Sequence, residues 1–459
     1  MATGQHDLVV RRMQEQYRAL PPGAPVRLAK RTSNLFRPRE RTGAPGLDVS
    51  GLDQVLRVDP VGRTAVVQGM TTYEHLVDAT LAHGLMPMVV PQLKTITLGG
   101  AVTGLGIESS SWRRGLPHES VLSMQVLTGS GAVVTAEPDG PDAELFHAFP
   151  NSYGTLGYAL RLTIELEQVQ PYVHVRHVRF GDVEQLTTAI GEVIATHEWR
   201  GEAVDFVDGT VFGADEAYLS LGSWATTAPY TSDYTGQQVY YRSIQQRGED
   251  WLTVRDYLWR WDTDWFWCSR VFGVQNPRIR RWVPRRWLRS DKYQKLVGLE
   301  NRLHVKARID QRRGLPARER VVQDVEIPLE RTADFVRWFL AEVPVEPIWL
   351  CPLRLRRPVA GTPDGQWPLY PLAADSTYVN IGFWSTVAIA PGDLDGDVNR
   401  RIEAAVADHG GHKSLYSDAY YSPQEFWRSY GEDAYRRAKE RYDPTGRLLD
   451  LYDKAVRRR

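Results

Sequence analysis

The segment from Pro91 to Gly115 limits the folds open to this chain more than any other stretch. It reads PQLKTITLGGAVTGLGIESSSWRRG and crowds glycines together with hydroxyl side chains. The residues concerned are Gly99, Gly100, Gly104, Gly106, Thr95, Thr97, Thr103, Ser109, Ser110 and Ser111. Glycines let a backbone approach a ligand closely, and amides and hydroxyls together suit a pyrophosphate. The alternative is a glycine-rich turn that packs two strands, and composition alone does not separate the two.

Two common nucleotide-binding folds are disfavoured by the spacing of these glycines. Ser109 stands where the third glycine of a GxGxxG fingerprint would fall, and no GxxxxGK[ST] motif occurs in the chain. A Rossmann domain and a P-loop domain both depend on those spacings.

The chain has 459 residues, which is enough for about two or three domains. Lys+Arg and Asp+Glu both number 56, so no overall charge attracts nucleic acid, and we expect no nucleic-acid partner. Cys268 and Cys351 are not in metal-ligand spacing, which predicts buried thiols, no metal and a reducing compartment. The start of the chain lacks an apolar signal core, and we expect a cytoplasmic protein.

The chain is predicted to be α+β, with many short strands before residue 170. Strands are expected at 65–68 and 158–166, a hairpin at 121–135, and a helix from Thr71 to a stop at Gly84. A change of character near residue 171 and a helical segment from 415 predict three parts. These are a domain of residues 1–170, a domain of 171–410 and a C-terminal segment of 411–459.

Four ordered motifs resemble one family of flavoproteins. Thr97 to Ser111, TLGGAVTGLGIESSS, resembles the FAD-binding loop of the vanillyl-alcohol-oxidase (PCMH) type, in its sterol Δ24-reductase branch. Pro150 to Gly157, PNSYGTLG, resembles the second flavin-contacting turn of that branch. The pair VQD and PIWLCP within 322–352, and LYSDAYYSPQEFW at 415–427, resemble two later motifs. The resemblance extends from about Lys30 to Val456.

The resemblance implies a two-subdomain FAD-binding domain, an antiparallel-sheet substrate or cap domain, and a C-terminal segment that returns to the flavin. Carried over residue by residue, it implies a set of cofactor-binding positions. These are Thr97, Leu98, Gly99, Gly100, Gly104, Gly106, Ile107, Glu108, Ser109, Gly154, Thr155 and Gly157. Ser33 and Asn34 stand where the family has its first phosphate loop, which here lacks the usual His. We therefore expect FAD to be bound without a covalent link.

Reduction of an isolated alkene needs a proton donor beside the hydride source. The flavin loop offers Glu108, and the C-terminal motif offers Tyr416, Asp418, Tyr420 and Tyr421. For each of these side chains a structural hydrogen bond is the competing interpretation. Lys94 is either a cation that tunes the flavin or a surface charge.

A stretch from Trp251 to Trp287 holds seven tryptophans interleaved with arginines. Such a stretch suits the boundary of a lipid headgroup layer, which predicts a peripheral contact on the inner face of a membrane. The alternative is an aromatic cap over the substrate pocket with solvated arginines, and the ordinary use of aromatic residues in cores favours it.

Three functions remain open on the sequence. The first is a reductase that uses NADPH to saturate an isolated C=C bond in a lipid. A methylene-branched fatty acyl chain of a phospholipid is placed first, as in bacterial relatives of this branch, because 48 arginines against eight lysines suggest a bacterial chain. A sterol side chain is second. The other two functions are a flavin oxidase that uses O2 and a flavin-carrying structural partner in a lipid-modifying complex.

Overall fold

A computed structural model describes residues 2–30, 36, 46–303 and 314–457. Its strands in chain order are β1 Leu28–Ala29, β2 Leu47–Asp48, β3 Val55–Asp59, β4 Thr64–Gln68, β5 Leu85–Pro87, β6 Val121–Leu127, β7 Val133–Ala136, β8 Tyr158–Gln168, β9 Tyr172–Phe180, β10 Glu198–Trp199, β11 Glu202–Ala203, β12 Phe206–Gly213, β13 Glu216–Ala225, β14 Glu249–Thr253, β15 Arg318–Pro328, β16 Ile348–Leu353, β17 Tyr378–Ala388 and β18 His412–Lys413.

The helices are α1 Ala2–Ala19, α2 Tyr73–Leu81, α3 Leu98–Gly104, α4 Ser111–Arg114, α5 Ala143–Ala148, α6 Val183–Thr196, α7 Tyr240–Gln246, α8 Val254–Leu258, α9 Pro277–Arg280, α10 Ser290–Leu303, α11 Leu329–Glu342, α12 Asp397–Asp408, α13 Pro423–Ser429, α14 Glu432–Tyr442 and α15 Leu451–Ala455. Short 3-10 turns occupy Pro117–Ser120, Cys268–Phe272, Arg285–Trp287 and Pro363–Gly365. Within the described residues, no helix combines the length and apolar character needed to cross a bilayer.

Two antiparallel sheets organise the chain. The first has the order β3-β4-β8-β6-β7, with β5 also paired to β8. The second has eight strands in the order β14-β9-β13-β12-β16-β17-β15-β18. The first sheet ends at Gln168 and the second begins at Tyr172, so the change of sheet falls near the predicted change of character. The predicted fold class, α+β with an antiparallel second sheet, is confirmed.

Local signals explain the elements nearest the glycine segment. The Thr72 side chain accepts a hydrogen bond from the His75 amide and caps α2, so this helix begins two residues after the predicted Thr71. Ser422 and Glu425 form a capping box at the start of α13, which lies in the segment from residue 415 that is predicted to be helical. The predicted hairpin is β6 and β7.

Strand β15 shows how the second sheet separates its two faces. Val321, Val325 and Ile327 belong to a hydrophobic cluster with residues of α6, α11 and α12. Because side chains alternate along a strand, Asp324 and Glu326 lie on the other face, away from these helices. That face closes a space against the first sheet.

The C-terminal segment belongs to the main core. Leu415, Phe426, Tyr430 and Leu451 are buried in the same hydrophobic cluster as residues of both sheets. The two cysteines differ from each other: Cys351 is a buried thiol as predicted, whereas Cys268 is half-buried.

Candidate active site

A cavity of about 520 Å3 lies between the two sheets. Its wall combines the glycine segment, the turn at 153–159, residues 26–30, aromatic residues of the second domain and the C-terminal segment. Its lining includes Arg27, Lys30, Thr97, Gly99, Gly100, Gly104, Gly106, Ile107, Gly154, Gly157, Trp265, Phe266, Asp324, Trp349, Trp384, Ser414, Tyr416 and Lys454. The predicted C-terminal return therefore reaches the cavity through Tyr416 and Lys454.

The first part of the glycine segment is a tight backbone contact. The amide of Gly99 donates to the Gly69 carbonyl at 2.9 Å, and a Cβ at Gly99 would lie 2.7 Å from that oxygen. The amide of Leu98 donates to the Thr71 carbonyl, and that of Gly100 donates to Thr97 Oγ1. The expectation that successive amides point at a ligand is thus wrong for residues 98–100, because the protein already uses them.

The glycine segment still fits a bound FAD through its open surface. Gly100 is exposed towards the cavity, and outside its own helix a Cβ there would meet only Thr97 Oγ1, at 2.8 Å, among the described residues. At Gly106 a Cβ would crowd the ring of Pro91 at 2.8 Å. Gly100 therefore leaves room for a flat or extended ligand against the backbone, whereas Gly106 permits close packing of Pro91.

Cationic side chains in the cavity wall also fit a bound FAD. Arg27, Lys30 and Lys454 line the cavity, and Arg27 Nε is buried with no hydrogen-bond partner within the described structure. A buried guanidinium nitrogen without a partner is costly unless a ligand satisfies it. Asp324 is the one carboxylate among the described lining residues. The cavity therefore suits a diphosphate near these cations.

The turn from Pro150 to Gly157 supplies another backbone surface. Gly154 and Gly157 line the cavity with φ values of 74° and 148°, and a Cβ at Gly157 would lie 2.8 Å from the Leu127 carbonyl. Thr155 does not line the cavity, because its hydroxyl donates to the Ser152 carbonyl within the turn. Tyr153 holds the two glycine turns together by donating to the Gly104 carbonyl at 2.9 Å.

Aromatic side chains form the wall on the second-domain side. Phe266 stacks on Trp384 with ring centroids 4.2 Å apart and meets Trp349 at 5.6 Å. Trp265 and Phe266 both have positive φ, a conformation that side chains other than glycine rarely adopt. Such strain persists only where the surroundings enforce it and is concentrated at functional sites.

Asp324 is the carboxyl group of the cavity wall. It is half-buried, with its accessible part facing the cavity, and the Asn380 side-chain amide donates to Oδ1 at 3.3 Å. Asp324 pairs across the sheet with Gly382, where any Cβ would collide with Oδ1. Glycine at 382 therefore makes the space in which the carboxyl group lies.

Burial raises the pKa of Asp324 to about 7, although hydrogen bonds with Tyr416 and Asn380 lower it. Burial raises the pKa of the neighbouring Glu326 well above its ordinary value, and the charge of Asp324 adds to that rise. Glu326 accepts a hydrogen bond from Ser414 at 2.8 Å. Near neutral pH the cavity thus holds a carboxyl group that can exist as the acid.

Glu108 does not line this cavity. Its Oε1 lies 3.0 Å from the guanidinium of Arg260 and accepts a hydrogen bond from Ser109 at 2.6 Å. Arg260 also pairs with Asp208 at 3.0 Å, and Trp349 donates to the same Asp208 oxygen at 3.2 Å. Burial raises the pKa of Glu108, and Arg260 opposes that rise. This geometry gives Glu108 and Ser109 a place in a buried network behind the wall.

Of the remaining acid candidates, one lines the cavity and the others do not. Asp418 pairs with Arg320 at 2.7 Å and Tyr420 packs over Arg400, both away from the cavity lining. Tyr416 does line the cavity, and its hydroxyl accepts a hydrogen bond from Trp384 at 3.0 Å. Tyr421 is half-buried outside the lining.

Three further predicted residues can now be placed. Lys94 is buried, 3.9 Å from Glu74, and does not line the cavity. Leu98, the first residue of α3, is buried in the core. Ile107 lines the cavity beside Gly106. Ser33 and Asn34 lie outside the residues that the structure describes.

Sequence reasoning missed Arg27, Lys454 and Asp324 as cavity residues. Asp324 lies in the VQD motif, which marked the segment without marking the carboxyl group. Alternation along a predicted strand could have placed Asp324 and Glu326 on one face. No local pattern marks Arg27 or Lys454, because they reach the cavity through the folding of both chain ends.

Comparison with known proteins agrees with this geometry. The family described as "FAD binding domain" matches residues 13–137. The chain is similar to "Delta(24)-sterol reductase" of Arabidopsis thaliana, with 24% identity over 444 residues, 90% of this chain and 77% of the relative. The Homo sapiens protein of that name is 24% identical over 420 residues, 89% of this chain and 75% of the relative.

A shorter match involves "Decaprenylphosphoryl-beta-D-ribose oxidase" of Mycolicibacterium smegmatis. It is 32% identical over 158 residues, 34% of this chain and 33% of the relative. Together these matches confirm the resemblance to FAD-linked proteins of the sterol Δ24-reductase branch. The chain carries an FAD-binding domain and is an FAD-dependent oxidoreductase.

Proposed function

We propose that this protein uses NADPH to saturate an isolated C=C bond in a lipid. The preferred candidate substrate is a methylene-branched fatty acyl chain. It is reduced to the methyl-branched chain while it is esterified in a phospholipid. The observation that carries the proposal is the single cavity in which open glycine turns face an aromatic wall holding Asp324. A hydride source and a proton source can meet there around an apolar substrate.

The chemistry of an isolated alkene explains why a carboxyl group is needed. The alkene has no carbonyl to accept negative charge, so a proton must arrive before or together with the hydride. In a methylene-branched chain, proton addition to the terminal CH2 carbon places cationic character on the tertiary carbon. The O–H bond of the acid breaks, a C–H bond forms, and hydride addition to the tertiary carbon completes the saturation. Reduced FAD, when bound, supplies that hydride.

Asp324 is the proton donor in this proposal. Its pKa of about 7 keeps a large fraction protonated near neutral pH, where a free aspartic acid would be ionised. Tyr416 and Asn380 hold the carboxyl group in place by hydrogen bonds. A general acid works best when its pKa is near the working pH.

The aromatic wall has two roles here. The rings of Trp265, Phe266 and Trp384 exclude water and surround an acyl chain with apolar surface. An aromatic face also stabilises a nearby cation, which suits the tertiary-cation character that develops after protonation.

The cofactor is held by residues of the first domain and both chain ends. We assign the backbone surface to Thr97, Gly99, Gly100, Gly154 and Gly157, and the diphosphate charge to Arg27, Lys30 and Lys454. Binding is noncovalent, because the described lining residues include no histidine or cysteine. Acid precipitation should therefore release the yellow colour into solution. Colour that stays with the precipitate would contradict noncovalent binding.

A sterol side chain is the alternative substrate, and the names of the relatives over most of the chain support it. Both substrates present a disubstituted alkene carbon, so the same acid serves either reaction. The arginine-rich composition is the reason for placing the acyl chain first.

The test incubates the FAD-loaded protein and NADPH with each lipid separately, without oxygen, and measures product mass. We expect a gain of two hydrogens on the methylene-branched phospholipid. A gain on the sterol alone would reverse the order of substrates. Replacing NADPH by NADH tests the donor. No gain on either lipid, with peroxide formed in air from an alcohol substrate, would favour the oxidase instead.

A further inference from the structure

The tryptophan- and arginine-rich stretch divides into an inner and an outer part. Trp259, Trp261, Trp265 and Trp267 are buried, as the cap interpretation predicts. The outer part is different, because Trp282 is 77% exposed and Trp287 is 55% exposed. Tryptophan is highly buried on average in folded proteins, so these two exposed rings differ from the rest of the stretch.

Charge around these two tryptophans is of one sign. No Asp or Glu occurs between residues 265 and 290, whereas seven arginines do. Arg280, Arg285 and Arg289 pair with Asp264, Asp233 and Glu74. Six exposed residues of this stretch form what we name the arginine–tryptophan surface: Ile279, Trp282, Trp287, Arg278, Arg281 and Arg286. Within the described part of the chain, its three arginines make no ion pair.

The surface is held in place from beneath. Arg280 is buried and donates to Asp264 at 2.7 and 3.0 Å and to the Gly236 carbonyl at 2.7 Å. Leu288, at the other end, is buried in the core. These anchors turn Trp282 outward, where Arg281 lies 5.3 Å from its ring centroid. The exposure of Trp282 is therefore built into the fold.

We propose that the arginine–tryptophan surface docks on a bilayer that contains anionic phospholipid. Indole rings enter the headgroup boundary while arginines meet lipid phosphates and anionic headgroups. A second copy of this chain fits less well, because a two-fold interface here would set arginines against arginines. The surface begins within about 15 residues of Phe266 in the cavity wall. This proposal rests on the proposed function for its biological use, namely a lipid substrate.

The test uses the full FAD-loaded chain and vesicles of phosphatidylcholine, alone or mixed with phosphatidylglycerol. Co-sedimentation should occur with the anionic vesicles and weaken as salt is added. The triple variant R278E/R281E/R286E should bind them roughly tenfold more weakly or worse. The control R11E/R18E/R331E makes the same change of net charge at exposed positions elsewhere and should bind like the parent.

The variant W282A/W287A separates ring insertion from charge. It should lose vesicle binding while keeping its FAD content, because both side chains are exposed and outside the cavity. Equal binding by the arginine triple variant and its control would overturn the proposal. Loss of a dimer in W282A/W287A, with no binding of the parent to anionic vesicles, would overturn it in favour of a second copy.

Failure of the docking surface is distinguishable from failure of the proposed function. Turnover of a detergent-dispersed lipid should be the same in R278E/R281E/R286E and in the parent. Vesicle binding without any saturated product would leave the surface standing and refute the reductase. Saturated product without vesicle binding would do the reverse.

Discussion

Asp324 and Glu108 are both carboxyl groups surrounded by protein, but they have opposite partners. Glu108 faces the guanidinium of Arg260 at 3.0 Å, whereas Asp324 faces the cavity with Tyr416 and Asn380 as neutral partners. Arg260 lowers the pKa of Glu108 against the rise caused by burial, whereas no cation opposes the rise at Asp324. The site of Glu108 therefore suits a structural role, and the site of Asp324 suits proton transfer.

The pH dependence of the unfolding free energy should reflect the protonation of Asp324. A folded pKa of about 7 against an ordinary value of 3.8 means that this group stabilises the fold most at low pH, and the stability is lost as pH rises towards 7. Asp324→Asn removes this dependence. Between pH 5 and 8, the unfolding free energy of the variant should rise relative to the parent by about 2 kcal/mol. Denaturant unfolding at both pH values measures it.

The control for this comparison is Asp334→Asn, whose carboxylate is more than half exposed and pairs with Arg337. Its difference from the parent should stay constant between the two pH values. An Asp324→Asn difference that is equally constant would show that Asp324 is already ionised in the folded protein at pH 5.

Glu108→Gln tests the structural role of Glu108. The unfolding free energy should fall by about 1 to 3 kcal/mol, because the carboxyl contact with the buried Arg260 guanidinium is lost and only the pairing with Asp208 remains. Turnover per bound flavin should be unchanged. Glu192→Gln, at an exposed position on α6, is the control and should alter neither quantity. A Glu108→Gln protein that is stable but inactive would make Glu108 the acid instead.

Residue-scale reasoning from sequence predicted a carboxyl group in the glycine segment, whereas the structure places the Asp324 carboxyl group in the cavity wall. Glu108 is a candidate because it lies in the glycine segment, yet its side chain pairs with Arg260 and does not line the cavity. No local sequence pattern marks Asp324, because the space for its carboxyl group depends on Gly382 and its pKa depends on Tyr416. Both residues are far away in sequence. Such pKa shifts are properties of tertiary contacts.

At the scale of elements, α3 places two adjacent glycines in different surroundings. A Cβ at Gly99 meets the Gly69 carbonyl at 2.7 Å, whereas one at Gly100 meets only the end of the Thr97 side chain. Gly99→Ala should therefore destabilise the apo protein. Gly100→Leu should destabilise the apo protein less than Gly99→Ala, because its Cβ meets a movable side-chain oxygen at 2.8 Å and not a carbonyl. It should lower the FAD content at least about tenfold, since the side chain fills the cofactor surface. Thermal unfolding of apo forms and flavin absorbance measure the two effects.

A Gly100→Leu protein that binds a full complement of FAD would refute the assignment of α3 to the cofactor. If the apo form of Gly100→Leu unfolds while Gly99→Ala is as stable as the parent, the assignment of Gly99 to backbone packing is refuted.

The C-terminal segment controls the acid through Tyr416. The hydrogen bond from Tyr416 lowers the pKa of Asp324, so Tyr416→Phe should raise it further. The protonated acid then persists to higher pH, and the fall of kcat above about pH 7 should move to higher pH. Tyr420→Phe, on the same segment but packed over Arg400, is the matched control and should keep the parent profile. A pH profile of kcat that is unchanged in both variants would show that Tyr416 does not set the pKa of the acid.

Elements were predictable where a local signal exists. Thr72 caps α2, Ser422 caps α13 and the Gly129-Ser130-Gly131 turn joins β6 to β7, and each could be predicted from a few neighbouring residues. The order of the eight strands in the second sheet could not, because strand pairing there links residues as distant as Val211 and Ile348.

The whole molecule brings three distant parts of the chain to one cavity. Residues 26–30, the glycine turns of the first domain, and the face of the second sheet with Tyr416 all contribute wall. The family resemblance predicted that the C-terminal segment returns to the flavin, but the contribution of Arg27 and Lys454 depends on how the two ends pack. That packing is long-range and leaves no local pattern.

The central claim is that Asp324 protonates the alkene while reduced FAD supplies hydride. The most direct measurement reduces the FAD-loaded protein without oxygen, removes excess reductant, adds the methylene-branched phospholipid and follows return of the oxidised flavin absorbance. The parent should reoxidise and yield product with two added hydrogens. Asp324→Asn should bind FAD, accept electrons from NADPH at the parental rate, and reoxidise about 100-fold more slowly or worse. Reoxidation of Asp324→Asn by the lipid at the parental rate would contradict the account.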